Sequence, residues 1–263
     1  MSEAFRARYG PWALVAGASE GIGAAFAEEL AARGIRLLLV ARRPAPLEAL
    51  AGRLRERSRV EVRTAPLDLG APGLADAVRG LTRGLEIGLV VYNAADSFVG
   101  EFLARSLDDH LRMVDVNCRG PVVLAHLLGE AMAARGRGGI VLVSSMAGFQ
   151  GAALVATYAA TKAFDTVLAE GLWDELRGRG VDVLACCAGA TRTPGYEASR
   201  PRGGIAPMAP AAVTADALAA LGRRPVTIPG LTNRAARLVM RHLLPRQVAV
   251  RIMGTTTRRM YGP

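Results

Sequence analysis

Short apolar runs rich in β-branched residues alternate with stretches of helical period along most of this chain, and no other feature restricts its fold as strongly. Strands are expected at residues 12–16, 35–41, 59–64, 88–92, 139–144 and 181–187, and helices at 21–33, 45–57, 73–82, 106–134 and 155–178. Two of the strands, Ile35-Arg-Leu-Leu-Leu-Val40 and Ile140-Val-Leu-Val143, are apolar on both faces. A strand tolerates that only where helices cover both sides of the sheet. The expected class is α/β, a parallel sheet between two helical layers in one domain.

The 263 residues are 51% hydrophobic, enough to bury a large core and too apolar for a disordered or fibrous chain. No linker or internal repeat divides them. Regularity fails after Ala188, and residues 189–210 are rich in proline and glycine; loops of that length in a compact domain are functional lids or disordered segments. A helix at 210–221 and a strand at 225–228 should follow. Beyond them, 231–244 has helical period, with Arg234, Arg237 and Arg241 within about a 60° arc and Leu231, Ala235, Leu238 and Val239 facing elsewhere.

Lys and Arg total 33 against 23 Asp and Glu, a formal charge of +10. Nine arginines and no acidic residue lie between Gly222 and Pro263, so the remainder of the chain carries only about +1. This basic tail lacks the accompanying fold or aromatic platform that nucleic acid requires. It suits an anionic lipid surface, the phosphate end of a carrier-bound acyl chain, or plain solvation. Cys118, Cys186 and Cys187 have no metal or disulfide spacing and fit reduced thiols in a cytosol. The first eleven residues include Glu3, Arg6 and Arg8 and no apolar core, which excludes a secretory signal. The longest uncharged run, 138–161, contains Ser144, Ser145, Gln150 and Thr157, and reads as a buried strand and loop rather than a membrane span. His110, His126 and His242 suit surface or core positions, and no metal site is expected. A soluble, cytoplasmic protein is expected.

The first strand runs into Gly17-Ala18-Ser19-Glu20-Gly21-Ile22-Gly23 and then a helix. Glycines at such a turn let the backbone approach a pyrophosphate, whose charge is favoured by the amides of the helix N-terminus. After the second strand, where a carboxylate would bind the ribose diol of NAD, the chain has Arg42 and Arg43. An arginine there can pair with a 2′-phosphate in bidentate fashion, so NADP is expected in preference to NAD.

Lys162 is the single lysine in a chain with 32 arginines. Arginine cannot replace lysine where a compact ammonium must sit close to a small group, because the guanidinium is larger and its charge is spread out. Tyr158 lies one helical turn before it, on the same face.

Together, Gly17-xxx-Gly21-x-Gly23, Asn93-Ala94-Ala95, Asn117, Ser145 and Tyr158-xxx-Lys162 resemble the short-chain dehydrogenase/reductase family over residues 12–195, in particular its ketoacyl reductase and hydroxysteroid dehydrogenase-like members. The resemblance implies a Rossmann-type doubly wound parallel sheet. It also implies that Asp68 and Leu69 sit at the adenine, and that Gly189, Thr191 and Thr193 lie beside the nicotinamide. Ala16, Tyr92, Ala95 and Ala188 depart from the usual family residues and put the fine geometry of the cofactor pocket in question.

What the resemblance implies for the chemistry is that Tyr158 exchanges a proton with the substrate oxygen while hydride passes to or from the nicotinamide. Free tyrosine titrates near pH ~10, and a lysine cation ~4 Å away contributes up to ~4 kcal/mol towards lowering that at an effective dielectric of ~20. Lys162 would also bond the nicotinamide ribose, Ser145 would position the carbonyl oxygen, and Asn117 would hold a water linking Lys162 to solvent. Met146, Phe149, Leu154, Tyr196 and Met208 point to an apolar ketone or secondary alcohol: acyl, steroid-like or polyketide-like. Apolar stripes at Val122, Val123 and Leu127, and at Phe164, Val167 and Leu168, suggest by the same resemblance a homodimer or homotetramer. The expected organisation is a catalytic domain over 1–229 and a basic extension over 230–263. The alternative is a non-catalytic NADP-binding regulatory or scaffold protein of the same fold.

Overall fold

A computed structural model describes residues 2–199, 201–203 and 206–262. The chain opens with α1 (Ser2–Tyr9), β1 (Trp12–Ala16) and α2 (Gly21–Ala32), then β2 (Arg36–Ala41), α3 (Pro44–Ser58), β3 (Val62–Pro66), α4 (Leu74–Thr82) and β4 (Ile87–Tyr92). Next come α5 (Leu107–Val114) and α6 (Gly120–Arg135), joined by a π-helical turn at Asp115–Arg119, and then β5 (Gly138–Ser145), α7 (Ala156–Arg177) and β6 (Val181–Ala188). The last elements are α8 (Pro194–Ala198), α9 (Pro210–Ala220), β7 (Val226–Thr227), α10 (Leu231–His242) and α11 (Arg246–Tyr261).

The seven strands form one parallel sheet in the order β3-β2-β1-β4-β5-β6-β7. Strand alternation divides the core into two layers. Ala13, Val15, Leu37, Leu39, Val91 and Val141 pack against α2, α3 and α9 through Phe26, Leu50 and Val213. Leu14, Leu38, Val40, Val90, Ile140 and Leu142 face the other way, towards Leu74, Leu124 and Met132 of α4 and α6. Apolar residues at every strand position therefore reflect a sheet sandwiched on both faces. The chain reverses its direction of growth between β1 and β4, which leaves a crevice at the carboxyl ends of those strands.

The helix expected over 106–134 is interrupted, for a local chemical reason. In the π turn the Gly120 N–H reaches back to the Asp115 carbonyl, and the next amide in that pattern belongs to Pro121, which has no N–H. The Val116 carbonyl is thereby left without a helical donor. Tyr92 supplies one, its hydroxyl donating to Val116 O at 2.6 Å. Gly120 has to be glycine here, because a Cβ would lie 2.0 Å from the Tyr92 hydroxyl.

The strand expected at 59–64 begins later, at Val62, because α3 runs to Ser58 and closes on Arg59 in the left-handed conformation. The irregular stretch after Ala188 contains α8 and a bridge between Thr191 and Met208. Sequence periodicity also missed α1, which is anchored by tertiary contacts: the Tyr9 hydroxyl and the Arg8 Nε both donate to Asp182 Oδ2, each at 2.7 Å. The second C-terminal helix, α11, was missed too. Among the described residues, no helix is long and apolar enough to cross a membrane.

Candidate active site

Because all strands are parallel, the residues that follow β1 to β6 emerge on one edge of the sheet. They surround a cavity of about 620 Å³. Gly17, Ser19, Glu20, Gly21 and Ile22 form one wall, Arg42, Arg43, Asp68 and Leu69 the adjoining end, and Asn93 and Ala94 the floor. Ser145, Tyr158 and Lys162 lie opposite, with Gly189, Thr191 and Thr193 beside them. Two of the expected site residues, Gly23 and Asn117, do not border the cavity.

The glycine turn is shaped by close backbone approach. Gly17 has φ +79°, and a Cβ on it would sit 2.5 Å from the Ala94 nitrogen; Gly21 has φ +60° and faces the Thr193 methyl. Asn93 clamps the turn from below, donating from Nδ2 to Gly17 O at 2.9 Å. The N-cap residue of α2, Glu20, makes no capping bond and instead pairs with Arg43 at 2.6 Å. The first amides of α2 therefore have no side-chain acceptor, and Gly21 and Ile22 border the cavity. Such an end accommodates a diphosphate.

At the far end, Asp68 is gripped by Arg112 Nη2, 3.1 Å from each carboxylate oxygen, and accepts the Gly70 N–H at 2.9 Å. Burial opposes its charge, but these bonds and the nearby Arg42 hold its carboxyl below the usual range. Arg112 was not singled out in the sequence; it reaches Asp68 from α5, 44 residues further along the chain.

The reactive cluster is built between β5 and α7. Ser144 is buried, and its hydroxyl donates to the Lys162 carbonyl at 2.6 Å and contacts Thr166 at 2.9 Å, tying strand to helix. Ser145 lies on the cavity, where its Oγ accepts the Ala147 N–H. Asn117 uses its whole side chain: Oδ1 accepts from Asp96 N at 2.7 Å, while Nδ2 donates to Asp96 O at 2.9 Å and Thr161 Oγ1 at 3.0 Å. It braces the loop after β4 against α7.

Lys162 is buried, and its Nζ donates to Val143 O at 2.8 Å and to Asp165 Oδ2 at 2.9 Å. Sequence reasoning missed this carboxylate, although its i,i+3 spacing from the only lysine was visible. Burial works against the ammonium, but Asp165, with help from Tyr158, outweighs it and keeps the pKa of Lys162 above the ordinary lysine value. Burial, reinforced by Asp165, pushes the neighbouring Cys118 thiol up to about 11.

Met146 and Tyr196 border the cavity, joined by Met253, Thr257, Met260 and Tyr261 of α11. Three other residues expected near substrate are placed elsewhere. Phe149 packs beneath Arg237, 3.9 Å from ring centroid to guanidinium carbon; Leu154 lines a separate cavity; and Met208 packs against the core below Gly230.

The strand order and the position of the cavity define a doubly wound dinucleotide-binding protein. The short chain dehydrogenase family model matches residues 11–202, and the chain belongs to that family. It is 36% identical over 198 residues to a 7beta-hydroxysteroid dehydrogenase of Collinsella aerofaciens, covering 75% of each chain. A solved structure from work on 7beta-hydroxysteroid dehydrogenase stereoselectivity superimposes with a TM-score of 0.89 at 32% identity, covering 95% of this chain and 98% of the other. A short-chain dehydrogenase from Sphingobium yanoikuyae in complex with NADPH gives a TM-score of 0.79 at 35% identity, covering 87% and 92%.

Proposed function

We propose that this oxidoreductase interconverts a ketone and a secondary alcohol on a bulky apolar substrate of steroid-like or acyl type, using NADP(H). The observation that carries the reading is Tyr158 on the cavity wall one turn from a buried Lys162 that is bonded to Asp165, with Ser145 opposite on β5. A bound nicotinamide cofactor supplies or accepts the hydride.

The glycine turn and the open amides of α2 would hold the diphosphate, Asp68 and Leu69 the adenine end, and Thr191 and Thr193 the nicotinamide end. Arg42 favours a 2′-phosphate. Tyr158 exchanges a proton through its hydroxyl with the substrate oxygen, and Ser145 holds that oxygen. Lys162 keeps a positive charge behind the phenol. Asn117 braces the loop that carries the cavity floor. Met146, Tyr196, Met253 and Met260 exclude water around an apolar substrate, and contact with the methionines of α11 suits a varied hydrocarbon outline. On this reading the 230–263 extension completes the substrate end of the 1–229 catalytic domain.

The test is Tyr158→Phe. Its kcat should fall by about 10²- to 10⁴-fold, the usual size of a general acid–base contribution, with NADPH binding retained by fluorescence titration. Equal ketone turnover by both proteins would sink the reading.

Two surfaces suit assembly. The stripes on α6 and α7 divide: Val123, Leu127 and Leu168 pack against their own sheet, whereas Val122, Phe164 and Val167 are exposed. With Leu107 and Leu111 of α5, also exposed, they form an apolar face that fits a second copy as a homodimer or homotetramer. Light scattering of Val167→Glu checks this: the oligomer should weaken. On α10 and the turn after it, Leu231, Leu238 and Leu243 point outwards with Arg241 and Arg246 nearby, a pattern suited to an anionic lipid surface. Sedimentation with anionic vesicles should carry the protein down, and neutral vesicles should not. Three unpaired cysteines favour a cytoplasmic setting.

A further inference from the structure

We infer that Asp165 is a positioning residue for the reaction, holding the Lys162 ammonium from its buried side so that one N–H remains directed to the cavity. The inference rests on the oxidoreductase reading above. An ammonium has three N–H donors. Two are used on Val143 O and Asp165 Oδ2, while the side chain still borders the cavity. One donor is left for a ligand or for Tyr158.

Asp165 serves little else. It is 2% exposed, and its Oδ1 is buried with no hydrogen-bond partner among the described residues. A buried carboxylate whose only bond is to one lysine is a poor source of stability, since its desolvation offsets most of the attraction, and an unpartnered oxygen calls for a functional explanation. Its effect is to keep a fully buried amine charged and to fix its direction.

The groups around the pair leave Asp165 as the sole acidic partner among the described residues. Tyr158 stands on the same helix, Cys118 on the π turn and Tyr92 on β4, and burial disfavours the ionised forms of Cys118 and Tyr92. On the sheet side the ammonium meets the carbonyl of Val143 on β5, and Cys187 of β6 contacts Thr166. An arginine cannot take this place: its fork would span the gap between Val143 and Asp165 without leaving a compact donor at the cavity. That accounts for the one lysine among 32 arginines.

Because Lys162 is the only lysine, lysine-selective ¹³C labelling of the full chain yields one side-chain signal. In the wild type it should keep ammonium character at a pH where a free lysine has already lost its proton, and should move when NADP⁺ is added. In Asp165→Asn the same signal should titrate well below that pH, and NADP⁺ should bind at least tenfold more weakly. The kcat profile of that variant should gain a falling basic limb at the pH of the lysine titration, and Asp165→Glu should recover most of the loss. A wild-type lysine that titrates like a free one overturns the inference, as does an Asp165→Asn protein with unchanged signal and profile. The wild-type titration decides alone if the asparagine variant does not fold. A charged, NADP⁺-responsive lysine in a protein that reduces no ketone would leave this pairing standing and sink the proposed reaction instead.

Discussion

The Lys162 ammonium lies 2.9 Å from the Asp165 carboxylate, and both side chains are almost completely buried, at 4% and 2% exposure. Neither charge is tolerable there without the other. Lys162→Met should cost about 3–5 kcal/mol, the usual penalty for stranding one member of a buried pair, measured by urea unfolding at pH 7. The double variant Lys162→Met/Asp165→Leu should recover most of that stability, because an apolar pair removes both desolvation costs. Activity should be lost in both. A double variant no more stable than the single would show that the pair does not act as a unit.

The Tyr92 hydroxyl serves the carbonyl that Pro121 leaves without a donor. Tyr92→Phe should therefore destabilise the fold by about 1–3 kcal/mol, the cost of a buried acceptor without a partner. Hydrogen exchange should be faster in α5 and α6 and little changed in α2 and α3. Uniform protection in the variant would count against this role for the hydroxyl.

Arg42 borders the cavity while its neighbour Arg43 is paired with Glu20. Removing the Arg42 guanidinium, which pairs with no carboxylate among the described residues, should therefore affect the phosphorylated coenzyme selectively. Arg42→Ala should weaken NADPH binding by roughly 10- to 100-fold, equivalent to a charged hydrogen bond of about 1.5–3 kcal/mol, and change NADH binding by less than about threefold. Parallel calorimetric titrations decide it, and an equal loss for both coenzymes would remove the basis for NADP preference.

The thiol of Cys118 is held up to about 11 by burial and by Asp165. Its neutral form is favoured in the folded protein, so it contributes stability below the unfolded thiol pKa of about 8.5 that is lost as pH rises towards 11. Iodoacetamide at pH 8 should modify Cys118 at least tenfold more slowly in the native protein than in the unfolded chain, because only thiolate reacts. Asp165→Asn should narrow that gap. Rapid native labelling of Cys118, followed by peptide mass spectrometry, would contradict the burial described.

Much of the framework could be read directly. The boundaries of β1 coincide with the expected strand, and most of the other strands and helices fall within two residues of expectation, because alternation and helical period report which side chains face a core. Gly17 and Gly21 announced a tight strand-to-helix turn for a similar reason: only glycine accepts their backbone angles cheaply. Less legible were the interruption after Val114 and the helices α1 and α11. Each depends on partners distant in the chain: Tyr92 for the π turn, Asp182 for α1, and the cavity edge for α11.

By itself the sequence determined the parallel sheet, the glycine turn, and the placing of a phenol and a lone lysine one helical turn apart, because all of these follow from residue type and short-range spacing. Tertiary structure decided which carboxylate meets that lysine and that α11 borders the cavity. Those outcomes depend on distances between β5, α7 and the C-terminal helices, and packing sets such distances only once the whole core has formed.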